Sequence, residues 1–366
     1  MREAVFVSYA RTGLAKAGRG GFNITPAMTM AAHAISSAVD KAGIEPELVE
    51  DVALGNGAHG AANLGRLASL LAGLPVTTGG NTIQRHCSSG LNSIAVAANH
   101  IRLDGVDCAV GAGVESISIP SGGFGGTVNM DPKLTEMYPA IYMAMIETAD
   151  IVAERYNVSR EYQDEYSLES QMRMARAQEN ELFVDEIVPM ATKMKLVDRE
   201  TKEETIVDYV VDKDESNRPT TTLEGLAKLG PVRGDGNYVT AGNASQLSDG
   251  AAAVVMMSDE EASRRDIEPL GAFKGWAVAG CEPDEMGIGP IYAVPKLLKR
   301  HGLTVDDIDI WELNEAFASQ CLYSRDKLGI DPEKYNVNGG SIAIGHPFGM
   351  TSTRCAGHIL QEGKRR

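Results

Sequence analysis

The sequence predicts an α/β layered fold made of two similar halves with a polar block inserted between them, and three observations predict it. Short apolar runs of strand length alternate with longer runs of helical period, which builds layers rather than a bundle or a sandwich. An order of segments recurs. Lys41-Ala42-Gly43-Ile44-Glu45-Pro46 leads into Val52-Ala53-Leu54-Gly55-Asn56, and Arg300-His301-Gly302-Leu303-Thr304-Val305 leads into Ile310-Trp311-Glu312-Leu313-Asn314; each follows a helix and each strand ends at an asparagine. The composition also shifts after Ser118, where a glycine-rich loop, two helices and a strongly charged stretch interrupt the apolar rhythm until about Val239.

Taken in order, Ala4 to Ser8 and Val52 to Leu54 read as buried strands, and Met30 to Ala42 as a helix with Ala31, Ala34, Ile35 and Val39 on one side. A strand ending at Gln84 turns through Cys87-Ser88-Ser89-Gly90 into a small-residue helix from Ser88 to Ile101. Cys108 to Val114 is apolar throughout, as a central strand is. In the inserted block, Met145 to Tyr156 and Arg160 to Asn180 read as helices. Met194 to Val197 and Thr205 to Val211 flank a polar turn and predict an exposed hairpin. Strands resume at Ala251 to Met257 and Leu270 to Ala279. Tyr335 to Val337 then turns through His346-Pro347-Phe348-Gly349 into a last helix, which places His346 and Cys87 in related turns.

Fifty acidic against 34 basic residues give a formal charge of −16. A nucleic-acid binder needs a basic face, so that class is excluded, as is an anionic membrane surface. The densest apolar run is far below spanning length, and the N-terminal run is too short for a signal peptide, so a soluble cytoplasmic protein is expected. Five cysteines at 87, 108, 281, 321 and 355 show no C-x-x-C pair, so neither a disulfide framework nor a metal site is expected.

Three residues stand at strand-to-helix turns, where α/β sheets usually bind ligands. Cys87 opens a helix whose free N–H groups and macrodipole favour thiolate, as a nucleophile requires, so it should be the fastest of the five to alkylate. A small residue in a tight turn is the plain alternative. His346, held before a proline in a glycine-flanked turn, suits a general base or an oxyanion donor, with a surface or packing histidine as the alternative. Asn314 ends a strand before a helix and competes with a simple N-cap.

Five motifs in one order then resemble the thiolase family over essentially the whole chain. They are Cys87-Ser88-Ser89-Gly90; Thr240 to Ser245 followed by Ser248 to Ala252; Met286-Gly287-Ile288-Gly289-Pro290; Asn314-Glu315-Ala316-Phe317; and Asn338-Gly339-Gly340 through Gly345-His346-Pro347. The resemblance implies a duplicated five-layer αβαβα fold with an inserted loop domain. It places the N-terminal half at 1–119 plus 245–267, the loop domain that covers CoA and substrate at 120–244, and the C-terminal half at 268–366. Cys87 would be the acylated nucleophile, His346 its base, and Asn314 with His346 the stabilisers of an enolate oxygen. Ser245 would meet the pantetheine arm, Ala316 and Phe317 would line the thioester pocket, and Met145 would face the substrate. Coenzyme A and acyl-CoA would be the partners, with no permanent cofactor, in a homodimer or homotetramer.

The implied reaction cleaves 3-oxoacyl-CoA with CoA to acetyl-CoA and a shortened acyl-CoA, or runs in reverse. A biosynthetic acetoacetyl-CoA thiolase and a non-catalytic acyl-CoA or lipid-binding relative are the alternatives. Two departures bear on them. Ala144 stands where many thiolases carry a pocket histidine, and the sequence lacks the family's C-terminal Cys-x-Gly-Gly-Gly segment. By repeat symmetry about 25 further residues are expected after Arg366, without which thiolytic turnover should be lost and only slow acylation of Cys87 remain. Lys193, Lys195, Arg218 and Lys228 of the insertion are candidates for the phosphates of CoA.

Overall fold

A computed structural model describes residues 2–57, 63–119 and 130–366. The glycine cluster at 122–126 lies outside the described residues. The strands are β1 (Ala4–Arg11), β2 (Ala15–Lys16), β3 (Asp51–Asn56), β4 (Asn81–Ile83), β5 (Cys108–Glu115), β6 (Met190–Val197), β7 (Glu204–Val211), β8 (Ser248–Ser258) and β9 (Gly271–Ala272). The helices used below are α1 (Ala27–Ala42), α2 (Leu64–Leu71), α3 (Ser89–Asn99), α4 (Pro132–Met137), α5 (Met145–Arg155), α6 (Arg160–Glu179), α7 (Leu223–Ala227), α8 (Asp259–Arg264), α9 (Pro290–His301), α10 (Ala318–Leu328), α11 (Ser341–Ile344) and α12 (Phe348–Arg365).

The main sheet runs β4-β3-β5-β8-β1-β9, with β2 beside β8. β3 is parallel to β4 and β5, whereas β8 is antiparallel to both β5 and β1. β5 and β8 are buried along their whole length, which is why their sequences run apolar instead of alternating. Ile35, Val39, Val52, Leu54 and Val110 pack α1 and α2 on one face of the sheet. Ile94, Ile101, Met256 and Met350 pack α3 and α12 on the other. A third core, around Leu322, Tyr335 and Ile342, joins α6, α10 and α11.

The recurring segments take corresponding places. Ala53 of β3 pairs in parallel with Asn81 of β4, and Trp311 pairs in parallel with Tyr335; α3 follows the first pair and α12 the second. The second pair is much shorter than predicted. Asn336 adopts φ 45°, which ends the extended run, and its side chain takes over the next rung by accepting from Leu313 N (2.9 Å) and donating to Leu313 O (3.0 Å). The predicted strand from Leu270 to Ala279 is likewise reduced to β9. Its partner β1 runs out at Ala4, because the Glu3 carbonyl already accepts from Asp259 N (3.1 Å).

α3 and α12 meet almost backbone to backbone. A Cβ on Gly349 would lie 2.6 Å from Asn56 Cα and 2.9 Å from Gly55 O, so only glycine lets the start of α12 reach the end of β3. The inserted block folds as predicted into α5, α6 and the β6–β7 hairpin, in which Lys193 faces Asp208 and Leu196 faces Thr205. Buried charge joins this block to the sheet. Arg11 donates to Asp214 (2.7 and 3.0 Å) and Glu186 (3.1 Å), and Glu186 meets His358 Nδ1 at 2.6 Å. No helix among the described residues is long and apolar enough to cross a membrane.

Candidate active site

The Cys87 turn is a sharp elbow between β4 and α3. His86 sits at φ 46°, a left-handed conformation uncommon for a side-chain-bearing residue. Ser89 Oγ braces it by accepting from Arg85 N (2.8 Å) and donating to His86 O (2.6 Å), while Ser88 Oγ donates to Arg85 O (3.0 Å). Those two serines explain why the motif needs hydroxyls after its cysteine. The thiol itself departs from expectation. Cys87 is half-buried; loss of water around it, and secondarily the nearby charge of Glu115, push its thiol up to about 12 against an opposing backbone hydrogen bond. That direction disfavours a thiolate at rest and calls for a base.

His346 supplies a candidate. Gly345 before it is at φ 110°, and His346 N donates to Gln246 O (2.8 Å), which fixes the turn against the segment that carries Ser245. The ring is buried, with Nδ1 2.7 Å from Thr351 Oγ1 and Nε2 3.1 Å from Asn314 Nδ2. Thr351 has one hydroxyl proton, and its geometry directs that proton to Pro347 O (2.9 Å). Its oxygen must then accept from Nδ1–H, which leaves Nε2 as the lone-pair nitrogen. The Asn314 amide agrees with this tautomer, because Ser341 Oγ donates to Asn314 Oδ1 (2.7 Å) and so turns Nδ2 toward the ring. Burial first, and then the charge of Arg354, lower the pKa of His346 to about 3, so the imidazole is neutral at physiological pH.

Asn314 is thus no N-cap; the capping position of α10 is Phe317. Its neighbour Glu315 points the opposite way, into the third core. There it accepts from Tyr166 Oη (2.8 Å), Ser170 Oγ (2.7 Å) and Ile342 N (3.0 Å), tying α6 of the insertion to the His346 half. Ser245 is placed beside the pocket residues, since Ser245 N donates to Ala316 O (3.0 Å) and Ala244 bridges Phe317. Met145 is half-buried at the first turn of α5, and α5 reaches the same region through Ser319 Oγ donating to Ala149 O (3.0 Å).

Sequence reasoning missed Glu115. Its carboxylate, fully buried, accepts from Gly57 N (2.9 Å) and Gly349 N (3.1 Å) on Oε2 and from Asn56 Nδ2 (3.0 Å) on Oε1. The signal was present, because a lone glutamate ends an otherwise apolar strand. Three of the four basic candidates in the insertion also look different in the fold. Lys193 pairs with Asp208, Lys195 with Glu204 (2.9 Å) and Lys228 with Glu224 (2.6 Å), each exposed. Such pairs are weak, but they already neutralise the ammonium that a phosphate would meet. Among the described residues no group of three or more histidine, cysteine or acidic side chains is placed to hold a metal.

Comparison with known proteins closes the assignment. The family model for the thiolase N-terminal domain matches residues 4–260, and that for the C-terminal domain matches 267–366. The peroxisomal 3-ketoacyl-CoA thiolase 1 of Arabidopsis thaliana is 42% identical over 368 residues, covering all of this chain and 82% of its own length. The 3-ketoacyl-CoA thiolase of Bacillus subtilis is 42% identical over 370 residues, with 94% of its length covered. Crystal structures of the Bacillus anthracis acetyl-CoA acetyltransferase and of human mitochondrial 3-ketoacyl-CoA thiolase in complex with CoA superpose with TM-scores of 0.87 and 0.86. They are 36% and 34% identical, and each comparison covers the whole chain and 93% or 92% of the other. Corresponding strand-to-helix turns at Cys87 and His346, together with family models that match both parts of the sequence, lead to one conclusion: the chain belongs to the thiolase family.

Proposed function

We propose that the protein is a thiolase-type acyltransferase that cleaves 3-oxoacyl-CoA with CoA by way of a Cys87 acyl-enzyme, and that can run the reverse condensation. His346 carries this reading: it is held neutral, with its lone pair on Nε2, at the start of the helix that packs against the one opened by Cys87. Proton transfer from Cys87 Sγ to Nε2 accompanies attack of sulfur on the 3-keto carbon, so no free thiolate need accumulate. The Sγ–C3 bond forms and the C2–C3 bond breaks. Its electron pair becomes the enolate of acetyl-CoA, whose C2 takes up the proton that Nε2 received from Sγ. The thiol of a second CoA gives its proton to Nε2 as its sulfur attacks the acyl thioester; the Sγ–acyl bond breaks, and the departing Sγ takes that proton back from Nε2.

Asn314 Nδ2 is assigned to donate through water to the enolate oxygen. Ser245, Ala316, Phe317 and Met145 are assigned to the pantetheine arm and the thioester pocket, and Arg218 to a CoA phosphate. We keep the division into 1–119 plus 245–267, 120–244 and 268–366. With Ala144 exposed at the cap of α5, acyl groups longer than acetyl are the favoured substrates over acetoacetyl-CoA alone.

The decisive experiment incubates the protein with 3-oxoacyl-CoA substrates of graded length and reads the intact mass. An acyl adduct mapped to Cys87, lost in Cys87→Ser, supports the assignment; no adduct with any substrate removes it and leaves a non-catalytic relative. We further propose a homodimer or homotetramer in the cytoplasm. Leu71 (55% exposed) and Val76 (79%) beside the edge strand β4 favour association. A monomer by light scattering, or an organellar fraction in the source cell, would correct these two points.

A further inference from the structure

Glu115 is the point where the two halves of the site are tied. Asn56 and Gly57 end β3, under the Cys87 elbow, and Ser89 Oγ approaches Asn56 O at 3.4 Å. Gly349 belongs to the first turn of α12, three residues after His346. One carboxylate oxygen accepts backbone N–H groups from both segments, and the other holds the Asn56 side chain. Neither N–H has an internal partner of its own, since one lies at a strand end and the other in the opening turn of a helix. We propose that Glu115 is a positioning residue for acyl transfer, one that sets the Cys87 elbow and the His346 turn in reacting register. This rests on the assignment of Cys87 and His346 above.

The charge of Glu115 works against the reaction, because it opposes ionisation of the Cys87 thiol. What it contributes must therefore lie in its acceptors. No amide can replace it: glutamine offers one carbonyl oxygen where three donors converge, and its NH2 group would face an N–H. Aspartate keeps the charge but is one methylene shorter, so it cannot hold Gly57 and Gly349 together. The titratable groups that feel Glu115 are Cys87 at the elbow and Asp249 on β8. The carboxyl of Asp249 is raised by burial and, as a smaller effect, by Glu115.

The test compares wild-type protein with Glu115→Gln and Glu115→Asp in three measurements. They are single-turnover acylation of Cys87 by mass, alkylation of Cys87 by iodoacetamide from pH 7 to 10, and thermal unfolding. In Glu115→Gln, acylation at saturating acyl-CoA should fall about 10- to 100-fold with half-saturation changed less than about threefold. Alkylation at fixed pH should instead rise, as loss of the neighbouring charge removes one of the influences that raise the thiol pKa. Glu115→Asp should lose acylation while keeping the wild-type alkylation profile, and it carries the test alone if the glutamine variant does not fold. Acylation within twofold of wild type in a folded variant overturns the proposal. So does a parallel fall of acylation and alkylation that tracks lost thermal stability, since a merely structural carboxylate would give that. Failure of wild-type Cys87 to acylate is read separately and overturns the nucleophile assignment itself.

Discussion

Thr351→Val removes one hydroxyl and keeps the shape, and the structure says what that hydroxyl does. Its oxygen accepts from His346 Nδ1–H at 2.7 Å and its proton goes to Pro347 O at 2.9 Å, both within a buried site. Valine leaves Nδ1–H without an acceptor, and a buried unsatisfied donor costs about 1–3 kcal/mol. The ring can escape that cost by moving its proton to Nε2, where it would confront Asn314 Nδ2 donor to donor. Either way the population with a lone pair at Nε2 falls, and 1–3 kcal/mol corresponds to about 5- to 150-fold in rate. Single-turnover acylation of Cys87 should slow by that factor with little change in half-saturation, while Thr351→Ser restores it. Global stability should drop by no more than about 3 kcal/mol in denaturant titration. A folded Thr351→Val that acylates within twofold of wild type would refute the tautomer argument, because among the described residues Thr351 is the acceptor for Nδ1.

Two further outcomes follow from buried charge. Cys87, pushed up to about 12 against an ordinary 9.0, carries about 1,000-fold less thiolate near neutrality, so alkylation should climb tenfold per pH unit from 7 to 10 without a plateau. A plateau below pH 9 on peptide mapping would mean the thiol is activated at rest. In Glu186, burial acts to raise the carboxyl, but the charge and hydrogen bond of His358, with Arg11, outweigh it and hold it at about 2. Because this acid is depressed below its unfolded 4.5, its stabilisation is present above pH 4.5 and is lost as pH falls toward 2, on the order of 3 kcal/mol over that window. His358 is shifted in the opposite direction. Burial acts to lower it, but Glu186 outweighs that and raises it above 6.5, so its stabilising share is complete below 6.5 and lost as pH rises through the folded value. Denaturant titrations at pH 3, 5.5 and 8 should peak at the middle value, and Glu186→Gln should flatten the acid limb; an unchanged limb would locate the acid sensitivity elsewhere.

The layers and the repeat were legible because burial dictates them locally. β8 is buried on both faces, so it could hardly be other than an apolar run, and the elbow at Cys87 announces itself by small hydroxyl residues whose hydrogen bonds stay within the turn. Ionisation was not legible. The dipole argument for a Cys87 thiolate used only neighbours in sequence. The terms that decide the pKa are removal of water and the charge of Glu115, 28 positions away in the chain and brought close only by packing β5 beside β3. The same holds for Lys193, which Asp208 faces, and Lys195, which reaches Glu204 diagonally, only once the hairpin register is fixed.

A duplicated fold explains why such long-range terms gather at one point. Two corresponding turn-helix units bring the N-termini of α3 and α12 together, and each terminus exposes N–H groups that need acceptors. An apolar core would leave those donors unpaired, at a cost of about 1–3 kcal/mol each. Leu91 N of α3 is met by Ser352 Oγ of α12 (2.9 Å), and Gly349 N of α12 by Glu115 from the strand that follows α3. Each half thus supplies the acceptor for the other's helix start. With Cys87 and His346 in their proposed roles, a site built on that exchange takes its nucleophile from one half and its base from the other, so its geometry depends on the contacts between them. Substitutions at Glu115 and Ser352 should therefore disturb acylation more than their distance along the chain from Cys87 and His346 would suggest.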